Sequence, residues 1–497
     1  MSQLPSSWRE TPIETVTEVV SGGTPSSKHP EYYTEDHKGS IAWVTPADLS
    51  GYKEKYISHG RRSITKSGYD SCSAKLMPKG TVLFSSRAPI GYTAIAANEI
   101  STNQGFKSFV PVVGVNETYL YYYLRSIKHL AESLATGTTF KELSGKVAKT
   151  LPFPLAPFAE QTRIVEKLDE VLAQVDTIKA RLDGIPAILK RFRQSVLAAA
   201  VSGKLTEEWR GDNTFEVESL LSTIEISRKM EWEKENQRLN KKRKYKPAGS
   251  VENKLEISLP RNWAWASVEA LSSKVSDGVH KKPHYVDEGI PFVTVKNLTK
   301  GNGISFDSLN YVTYEDHVEF TKRTNPERGD ILISKDGTLG VVRQIRTDIE
   351  FSIFVSVALI KPALKDMSNY LEYAFMSPIL QQQMVGVGTG LLHIHLTDLR
   401  KDLVPVPPIE EQREIVCLVD QYFAFADTIE AQVKKAQARV DKLTQSILAK
   451  AFRGELVPQD PNDEPAEKLL ERIAAARKEA EMLAKAAKKA GRKTVKA

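Results

Sequence analysis

A histidine pair and a carboxylate–lysine pair come nearest, in type and spacing, to catalytic or metal-binding groups in this sequence. His393 and His395 flank one residue and would share a face on a strand, but no cysteine lies nearby to complete a zinc site. Asp330 and Lys335 superficially suggest a nuclease, yet no carboxylate stands two residues before Lys335. Because that segment also matches residues 80–85 in an internal repeat, we interpret it as scaffold.

The composition is that of a globular chain with a mildly basic balance. The 497 residues are 41% hydrophobic and 26% charged, and the net charge of +7 favours a polyanionic partner. No run of about 18 apolar residues occurs, so no membrane span is expected. The N-terminal residues lack the pattern of a signal peptide. Cys72 and Cys417 match no metal-ligand spacing, which favours a reduced, cytoplasmic setting.

Two motifs of enzymes that act on DNA are missing from the sequence. A DNA adenine methyltransferase needs an Asn/Asp-Pro-Pro-aromatic motif to hold the flipped base, and no such tetrapeptide occurs. No Walker A loop occurs either, so ATP must be handled elsewhere. The sequence therefore favours a binding protein without catalysis, and we expect no cofactor and no metal in this chain.

An internal repeat organises the chain. Residues 119–205 align with residues 370–456 without a gap, at an offset of 251. Repeats of this kind decide the architecture, since each copy forms the same structural unit. The matched pairs include Pro157 with Pro408, Glu160-Gln161 with Glu411-Gln412, Gln194-Ser195 with Gln445-Ser446, and Gly203 with Gly454.

The segments that precede the two blocks correspond more loosely. Short apolar runs and turn residues predict β-rich structure in both. The frame is kept while the contents change, as where Arg87-Ala88-Pro89 becomes Asp336-Gly337-Thr338. Two similar scaffolds with different surface residues suit two different targets, and the alternative is a duplication that drifted without dividing its function. Matches include Leu4-Pro5 with Leu259-Pro260, Trp8 with Trp263, and Gly80 with Gly329.

After each proline-rich stretch the hydrophobic period becomes helical. Alternating steps of four and three continue over about 40 residues in each copy, or roughly 60 Å of helix. Each apolar seam needs a partner, so we predict that the two helices pair antiparallel, with a helical hairpin inside each copy as the alternative. Pro186 should kink or break the first helix. The predicted seam, which could also dock subunits, contains Ile164, Leu168, Val171, Val175, Ile178, Ile415, Val419, Tyr422, Ile429 and Val433.

These patterns predict an α+β fold: a tandem repeat of two β-rich globular heads joined by two long, antiparallel, coiled-coil-like helices. Basic runs at 228–246 and 477–497 are expected to be solvated helix faces or tails, with contact to phosphates as the alternative. The predicted parts are a first head at 1–155, a helical spacer with a basic linker at 156–250, a second head at 255–408, and a helical spacer with a basic tail at 409–497.

The start and end of each helix resemble the specificity subunits of Type I restriction-modification systems. A Pro-x-x-Glu-Gln motif opens each helix, at 157–161 and 408–412, and each helix ends in a related run, at 194–206 and 445–456. The resemblance covers essentially the whole chain. The helical parts are specific to the family, whereas the β-rich parts vary within it.

The resemblance implies that each head is a target recognition domain that reads one half of an asymmetric, split sequence in double-stranded DNA. The helices would set the spacer between the half-sites and dock two methyltransferase subunits, and restriction/translocase subunits would join that core. S-adenosylmethionine, ATP and Mg are then implied in the partner subunits. A stand-alone DNA-binding or regulatory scaffold protein with this architecture is the alternative.

Side chains for DNA contact are expected in loops of both heads. Arginine and lysine pair with guanine, and asparagine and glutamine with adenine, whereas contacts to phosphates set the register. The alternative for each candidate is a solvated surface residue that makes no contact with DNA. The candidates are Thr24, Ser26, Lys28, Arg61, Arg62, Ser86, Arg87, Asn103, Gln104 and Lys107 in the first head, and His280, Lys281, Lys282, His284, Lys296, Asn297, Lys335 and Asp336 in the second.

Overall fold

A computed structural model describes residues 4–87, 89–137, 141–211, 213, 215–238, 240, 244–250, 252–253, 255–388 and 392–494, with backbone alone for residue 481 and residues 484–494. The chain forms two compact units. The first unit comprises Met1–Asp183 and Lys435–Ala497, and the second comprises Gly184–Lys434. Each unit therefore combines one head with segments of both long helices.

The first head and the helices after it follow the predicted order of β-rich and helical parts. The strands are β1 (Arg9–Pro12), β2 (Thr17–Ser21), β3 (Tyr33–Thr34), β4 (Trp43–Val44), β5 (Tyr56–Ile57), β6 (Ser63–Ile64), β7 (Val82–Phe84), β8 (Thr93–Ala96), β9 (Ser101–Thr102), β10 (Lys107–Pro111) and β11 (Pro152–Leu155). The helices are α1 (Lys66–Asp70), α2 (Glu117–Ser126), α3 (Lys128–Leu134), α4 (Gly145–Lys149), α5 (Phe158–Ser202), α6 (Glu207–Gly211) and α7 (Val217–Arg238).

The second head repeats this order. Its strands are β12 (Ala264–Ser267), β13 (Ser272–Asp277), β14 (Ile290–Val293), β15 (Asn310–Val312), β16 (Ile331–Ser334), β17 (Val342–Gln344), β18 (Ser352–Ile353), β19 (Val357–Pro362) and β20 (Leu403–Val406). The helices are α8 (Val268–Leu271), α9 (Val295–Thr299), α10 (Tyr314–Thr321), α11 (Ser368–Met376), α12 (Pro378–Gln383), α13 (Leu396–Leu399), α14 (Ile409–Ala451) and α15 (Ala466–Thr494).

The main sheets of the two heads have the same topology. The first head has the order β2-β10-β7-β8-β5, and the second has β13-β19-β16-β17, each with antiparallel pairing among its first four strands. The first and last strands of each head also pair antiparallel, as β1 with β11 and β12 with β20. This last pairing brings the start of each head beside the start of the long helix that follows it.

The long helices pair antiparallel within each unit, as predicted. In the first unit Lys179 on α5 contacts Asp441 on α14 at 2.6 Å, and Asp183 accepts a hydrogen bond from Gln437 at 2.7 Å. In the second unit Arg193 on α5 contacts Asp427 at 2.6 Å. Residue numbers rise along α5 from 179 to 183 while those of their partners on α14 fall from 441 to 437, so the two helices are antiparallel. The predicted pairing is therefore confirmed over the alternative of a hairpin within each copy.

Burial supports most of the predicted seam and corrects one member of it. Ile178 is 47% exposed, so its assignment to a buried seam is wrong. Tyr422 is 41% exposed, but its ring centroid lies 6.0 Å from that of Phe192 on the paired helix, so it packs at the edge of the seam. The buried members are Ile164, Leu168, Val175, Ile415, Val419 and Val433, and Val171 and Ile429 are partly buried.

Pro186 lies inside α5 without ending it. The helix is continuous from Phe158 to Ser202, so the prediction that the proline breaks it is wrong. Proline removes one amide donor and leaves one backbone carbonyl without its intrahelical partner. Both Pro186 and Gly184 are exposed, so water can satisfy that carbonyl without cost to a packed core.

Motifs that the repeat placed in different copies meet in space within each unit. Gly454 follows α14 and packs on Pro5, while Gly203 follows α5 and packs on Pro260. A Cβ on either glycine would lie 2.3–2.4 Å from the proline Cγ, and the φ angles are +73° and +77°. Glycine is therefore required at both helix ends, because it permits the left-handed turn and the close approach.

A buried glutamate at the start of each long helix joins these parts. Glu160 accepts a hydrogen bond from the Trp8 indole at 2.9 Å and one from Gln459 at 2.5 Å. Burial raises the pKa of the Glu160 carboxyl, since its donors here are neutral.

In the second unit Glu411 accepts the Trp263 indole hydrogen at 2.9 Å, the Thr206 hydroxyl at 2.8 Å and the Arg210 guanidinium at 2.9 Å. Arg210 takes the place of Gln459, since each donates both to the buried glutamate and to the carbonyl of the helix-ending glycine, Gly203 or Gly454. The buried glutamate of the second unit thus has a cationic donor where the first unit has a neutral one.

Replacing Arg210 should test this difference. Arg210→Gln should lower the free energy of unfolding by roughly 3 kcal/mol, because it leaves a buried carboxylate without its cation. Gln459→Arg is the matched variant, and it should keep or raise stability by supplying the missing cation to Glu160. Denaturant unfolding of the full chain measures both. Equal stability of Arg210→Gln and the natural chain would contradict the assigned role.

Asp402 should make the stability of the second unit depend on pH. It is buried, and its Oδ2 atom has no hydrogen-bond partner among the described residues. Burial, with a smaller effect of Asp398, raises its pKa from 3.8 to about 7. A carboxyl whose pKa is higher in the folded state binds its proton more tightly there than in the unfolded chain. The stability of the fold therefore rises as the pH falls from about 7 towards 4, and above about pH 7 the ionised carboxylate costs stability.

Asp402→Leu restores the residue type found at the corresponding Leu151 of the first head. We expect it to raise the free energy of unfolding by on the order of 2 kcal/mol at about pH 8, with the gain shrinking towards about pH 5. Thermal unfolding across that range measures the change, with Glu288→Gln, at an exposed carboxylate of the same head, as the control. A gain that does not depend on pH would refute the titration of Asp402.

Candidate nucleic-acid interface

Loops converge at one end of each main sheet because a glycine follows the first strand of that sheet. A Cβ on Gly22, after β2, would lie 2.1 Å from the backbone oxygen of Asn103. A Cβ on Gly278, after β13, would lie 2.0 Å from the oxygen of Ile353. The two loops therefore press directly on the backbone of a neighbouring segment, and the candidate residues that follow each glycine are held beside it.

In the first head this close approach brings several predicted residues together. The Thr24 hydroxyl is hydrogen-bonded to Gln104, and the Asn103 side chain accepts the Gly105 amide at 2.9 Å. Arg87 forms an isolated bridge with Glu142 through the backbone. These residues form one polar surface built from three loops.

Arg61 and Arg62 lie in the same head, on a separate turn. The Arg61 amide donates to Asp48 at 2.9 Å, and the Arg62 guanidinium lies 4.8 Å from the centre of the Tyr33 ring. Both arginine side chains are exposed, so their cationic groups face solvent.

The second head has an exposed basic loop after Gly278. His280 lies 3.0 Å from Asp277, and the following lysines are exposed. The predicted residues that are exposed in the two heads are Thr24, Ser26, Lys28, Arg61, Arg62, Gln104, His280, Lys281, Lys282, His284 and Lys296, while Arg87, Asn103 and Asp336 are partly buried.

Four predicted residues are buried, and the expectation that they contact DNA from the surface is wrong. Ser86 donates to the Gly105 carbonyl at 3.1 Å. The Asn297 side-chain oxygen accepts a hydrogen bond from the Thr294 amide at 2.9 Å, in a capping box at the start of α9. Lys107 and Lys335 are buried in ion pairs inside their heads.

Three residues that the sequence did not single out belong to the same regions. Glu142 lies 3.5 Å from Lys107, while Asp277 contacts both Arg323 at 2.7 Å and Lys335 at 3.5 Å. No motif marks these positions. The correspondence of Asp277-Gly278 with Ser21-Gly22 was the available indication that Asp277 ends a strand at the loop cluster.

The His393–His395 pair and the Asp330–Lys335 pair do not form a metal or nuclease site in the part of the chain that the structure describes. The His393 and His395 rings lie 4.3 Å apart, but among the described residues no group of three or more His, Cys, Asp or Glu side chains could hold a metal ion. Asp330 is fully buried, and its carboxylate accepts a hydrogen bond from Lys361 at 2.6 Å.

Among the described helices, none is long and apolar enough to cross a bilayer.

Comparison with known proteins gives the family. A family profile described as "Type I restriction modification DNA specificity domain" matches residues 5–187 and 277–437. The Type I restriction enzyme EcoBI specificity subunit of Escherichia coli is 36% identical over 392 residues, which are 76% of this chain and 74% of that protein. The EcoKI specificity subunit of Escherichia coli (strain K12) is 29% identical over 99% of both chains.

A solved chain from a study of complex assembly and conformational transition in the type I restriction-modification system has the same fold. It covers 91% of this chain and 99% of its own length, with a TM-score of 0.62 and 18% identity. Together with the profile, these relatives define a class of DNA-recognition proteins with two repeated domains. This chain belongs to the Type I restriction-modification specificity family. It is a specificity subunit, with the role of recognising DNA sequence and not of catalysis.

The exposed lysines after Gly278 should contact phosphates. Changing Lys281 and Lys282 to Gln should weaken DNA binding uniformly across sequences and reduce the slope of log K against log salt by about 2, since each phosphate contact contributes about 0.9. Fluorescence anisotropy with the chain in complex with its methyltransferase subunits measures the slope. Arg328→Gln, which removes an exposed cation before β16 that is paired with Asp348 at 2.9 Å, is the control. An unchanged slope in the double variant would rule out these contacts.

Proposed function

We propose that this subunit reads an asymmetric, two-part site in double-stranded DNA, with one head for each half-site. The observation that supports this proposal is that the two heads have similar sheets but different side chains in their loops. The main sheets share one strand order, while the loops at their ends carry different polar side chains. Base contacts select sequence, so two different loop sets on one scaffold suit two different half-sites.

The long helices are proposed to dock two methyltransferase subunits. In the first unit Ile178 and Leu443 are 47% and 48% exposed, and in the second unit Ile188 and Phe425 are 55% and 59% exposed. Each unit thus has exposed apolar side chains on both α5 and α14. The helical blocks repeat without a gap, so two identical partner subunits would meet the same helical frame, although the exposed apolar side chains fall at different repeat positions in the two units.

Restriction/translocase subunits are proposed to join that core and complete the endonuclease. S-adenosylmethionine, ATP and Mg would be bound in the partner subunits, since this sequence has neither the methyltransferase tetrapeptide nor a Walker A loop. We place the complex in the cytoplasm, because its DNA and the three cofactors are there.

Methylation mapping tests the division of labour between the heads. The chain is expressed with its methyltransferase partner in a host that lacks this modification, and methylated adenines are mapped by sequencing. We expect one split motif that depends on this chain. Exchange of residues 1–155 for those of a relative should change one half of the motif and leave the other half and the spacer unchanged. A change in both halves would refute the modular assignment.

A further inference from the structure

A buried carboxylate in the second head contacts basic side chains from three separate segments. Asp277 ends β13, and its side chain is 5% exposed. His280, in the loop after Gly278, lies 3.0 Å from Asp277 Oδ1, and the Arg323 Nη2 atom, after α10, donates to the same oxygen at 2.7 Å. Lys335, after β16, lies 3.5 Å from Oδ2.

The three basic side chains differ in how much of each faces solvent. The Lys335 side chain is 10% exposed and lies between Asp277 and Asp336, so its charge is shared inside the head. The Arg323 and His280 side chains are 58% and 56% exposed. Arg323 makes the shorter ion pair with Asp277, at 2.7 Å against 3.5 Å for Lys335. A buried carboxylate with two cationic partners is compensated, and its pairing with Arg323 fixes a guanidinium that faces out of the head.

Two contacts restrain Arg323 and leave part of its guanidinium available. The adjacent Thr324 is buried, and its hydroxyl donates to the backbone oxygen of Asp277 at 2.7 Å. Within the described part of the chain, the side-chain contacts of Arg323 run through one terminal nitrogen, Nη2. A planar guanidinium held at one nitrogen can still present two donors to a ligand, in the fork geometry that matches guanine O6 and N7.

The first head has the same kinds of side chain at the corresponding end of its sheet, but from other positions. Lys107 is buried and lies 3.5 Å from Glu142, and Arg87, with its side chain 35% exposed, lies 4.0 Å from Glu142. In the repeat, Lys107 corresponds to Ala358 and Glu142 to His393, so no residue of this trio is kept. The two heads thus present an arginine at the loop cluster from different strands and loops.

We propose that Arg323 contacts a guanine of the second half-site and that Asp277 is the positioning residue that fixes its guanidinium. This inference rests on the proposed reading of one half-site by each head. It adds a base-contacting residue and its support, neither of which a sequence motif marks. The His280 Nε2 atom lies 3.0 Å from both Asp277 Oδ1 and Arg323 Nη2, so its ring is a further contact of the same pair.

The test uses the full chain with its methyltransferase partner and a plasmid library in which the second half-site is randomised. Sequencing of methylated sites gives the preference at each base pair. Arg323→Ala should reduce the preference for guanine at one position of the second half-site by about ten- to a hundredfold, with the first half-site unchanged. Arg328→Ala is the matched control, since Arg328 is also an exposed arginine of this head and pairs with exposed Asp348 at 2.9 Å.

Two further variants separate recognition from folding. Arg323→Lys keeps the charge beside Asp277 but loses the fork, so it should retain methylation while relaxing the same position. Asp277→Asn should relax that position too, by a smaller factor, because the guanidinium is no longer fixed by charge. If Arg323→Ala abolishes all methylation, the lysine variant decides, and natural specificity in that variant would overturn the proposal.

Three further results would overturn the inference. The first is a site preference in Arg323→Ala equal to that of Arg328→Ala. The second is a uniform loss across all sequences, which indicates a phosphate contact, and the third is relaxation of a different position in Asp277→Asn. Failure of the proposed function itself appears separately, as the lack of any split methylated motif with the natural chain.

Discussion

The fold depends on one buried carboxylate at the start of each long helix. A glutamate side chain removed from water must find donors, and the donors of Glu160 and Glu411 come from the head's first tryptophan and from the segment beyond the other long helix. One interaction therefore ties three distant stretches of chain. It explains why Glu-Gln, Trp and the helix-ending glycine recur together in both copies, although the first unit assembles them from the two ends of the chain.

The sequence was sufficient to predict the parts of the fold that depend on periodic burial. The gapless repeat and the steps of four and three led to two long helices and their antiparallel pairing. The prediction that Pro186 breaks the helix was wrong because the cost of a proline depends on whether the freed carbonyl can find a partner, and the exposed surroundings at Gly184 and Pro186 admit water. Ile178 was misjudged because a heptad count identifies the face of a helix but not how fully each position on that face is covered.

The candidate interface was predictable by region but not by residue. Loops after the glycine turns do carry exposed polar side chains, whereas Ser86, Lys107, Asn297 and Lys335 point inward. Residue type in a loop does not decide direction, since strand ends alternate and capping side chains turn back to the backbone. Only Asn297 had a local indication, in the Thr-x-x-Asn spacing that matches a capping box.

The interior charges connect stability with recognition. In each head a buried lysine satisfies a carboxylate, and the same carboxylate lies beside an arginine that reaches solvent. The two heads build this charged trio from different positions, while the order of their first four strands is the same. A head can therefore place its arginine elsewhere on the same scaffold, provided that a carboxylate and a buried lysine accompany it. Loop residues and interior charges must then change together, because the lysine of each trio belongs to the packed interior of its head.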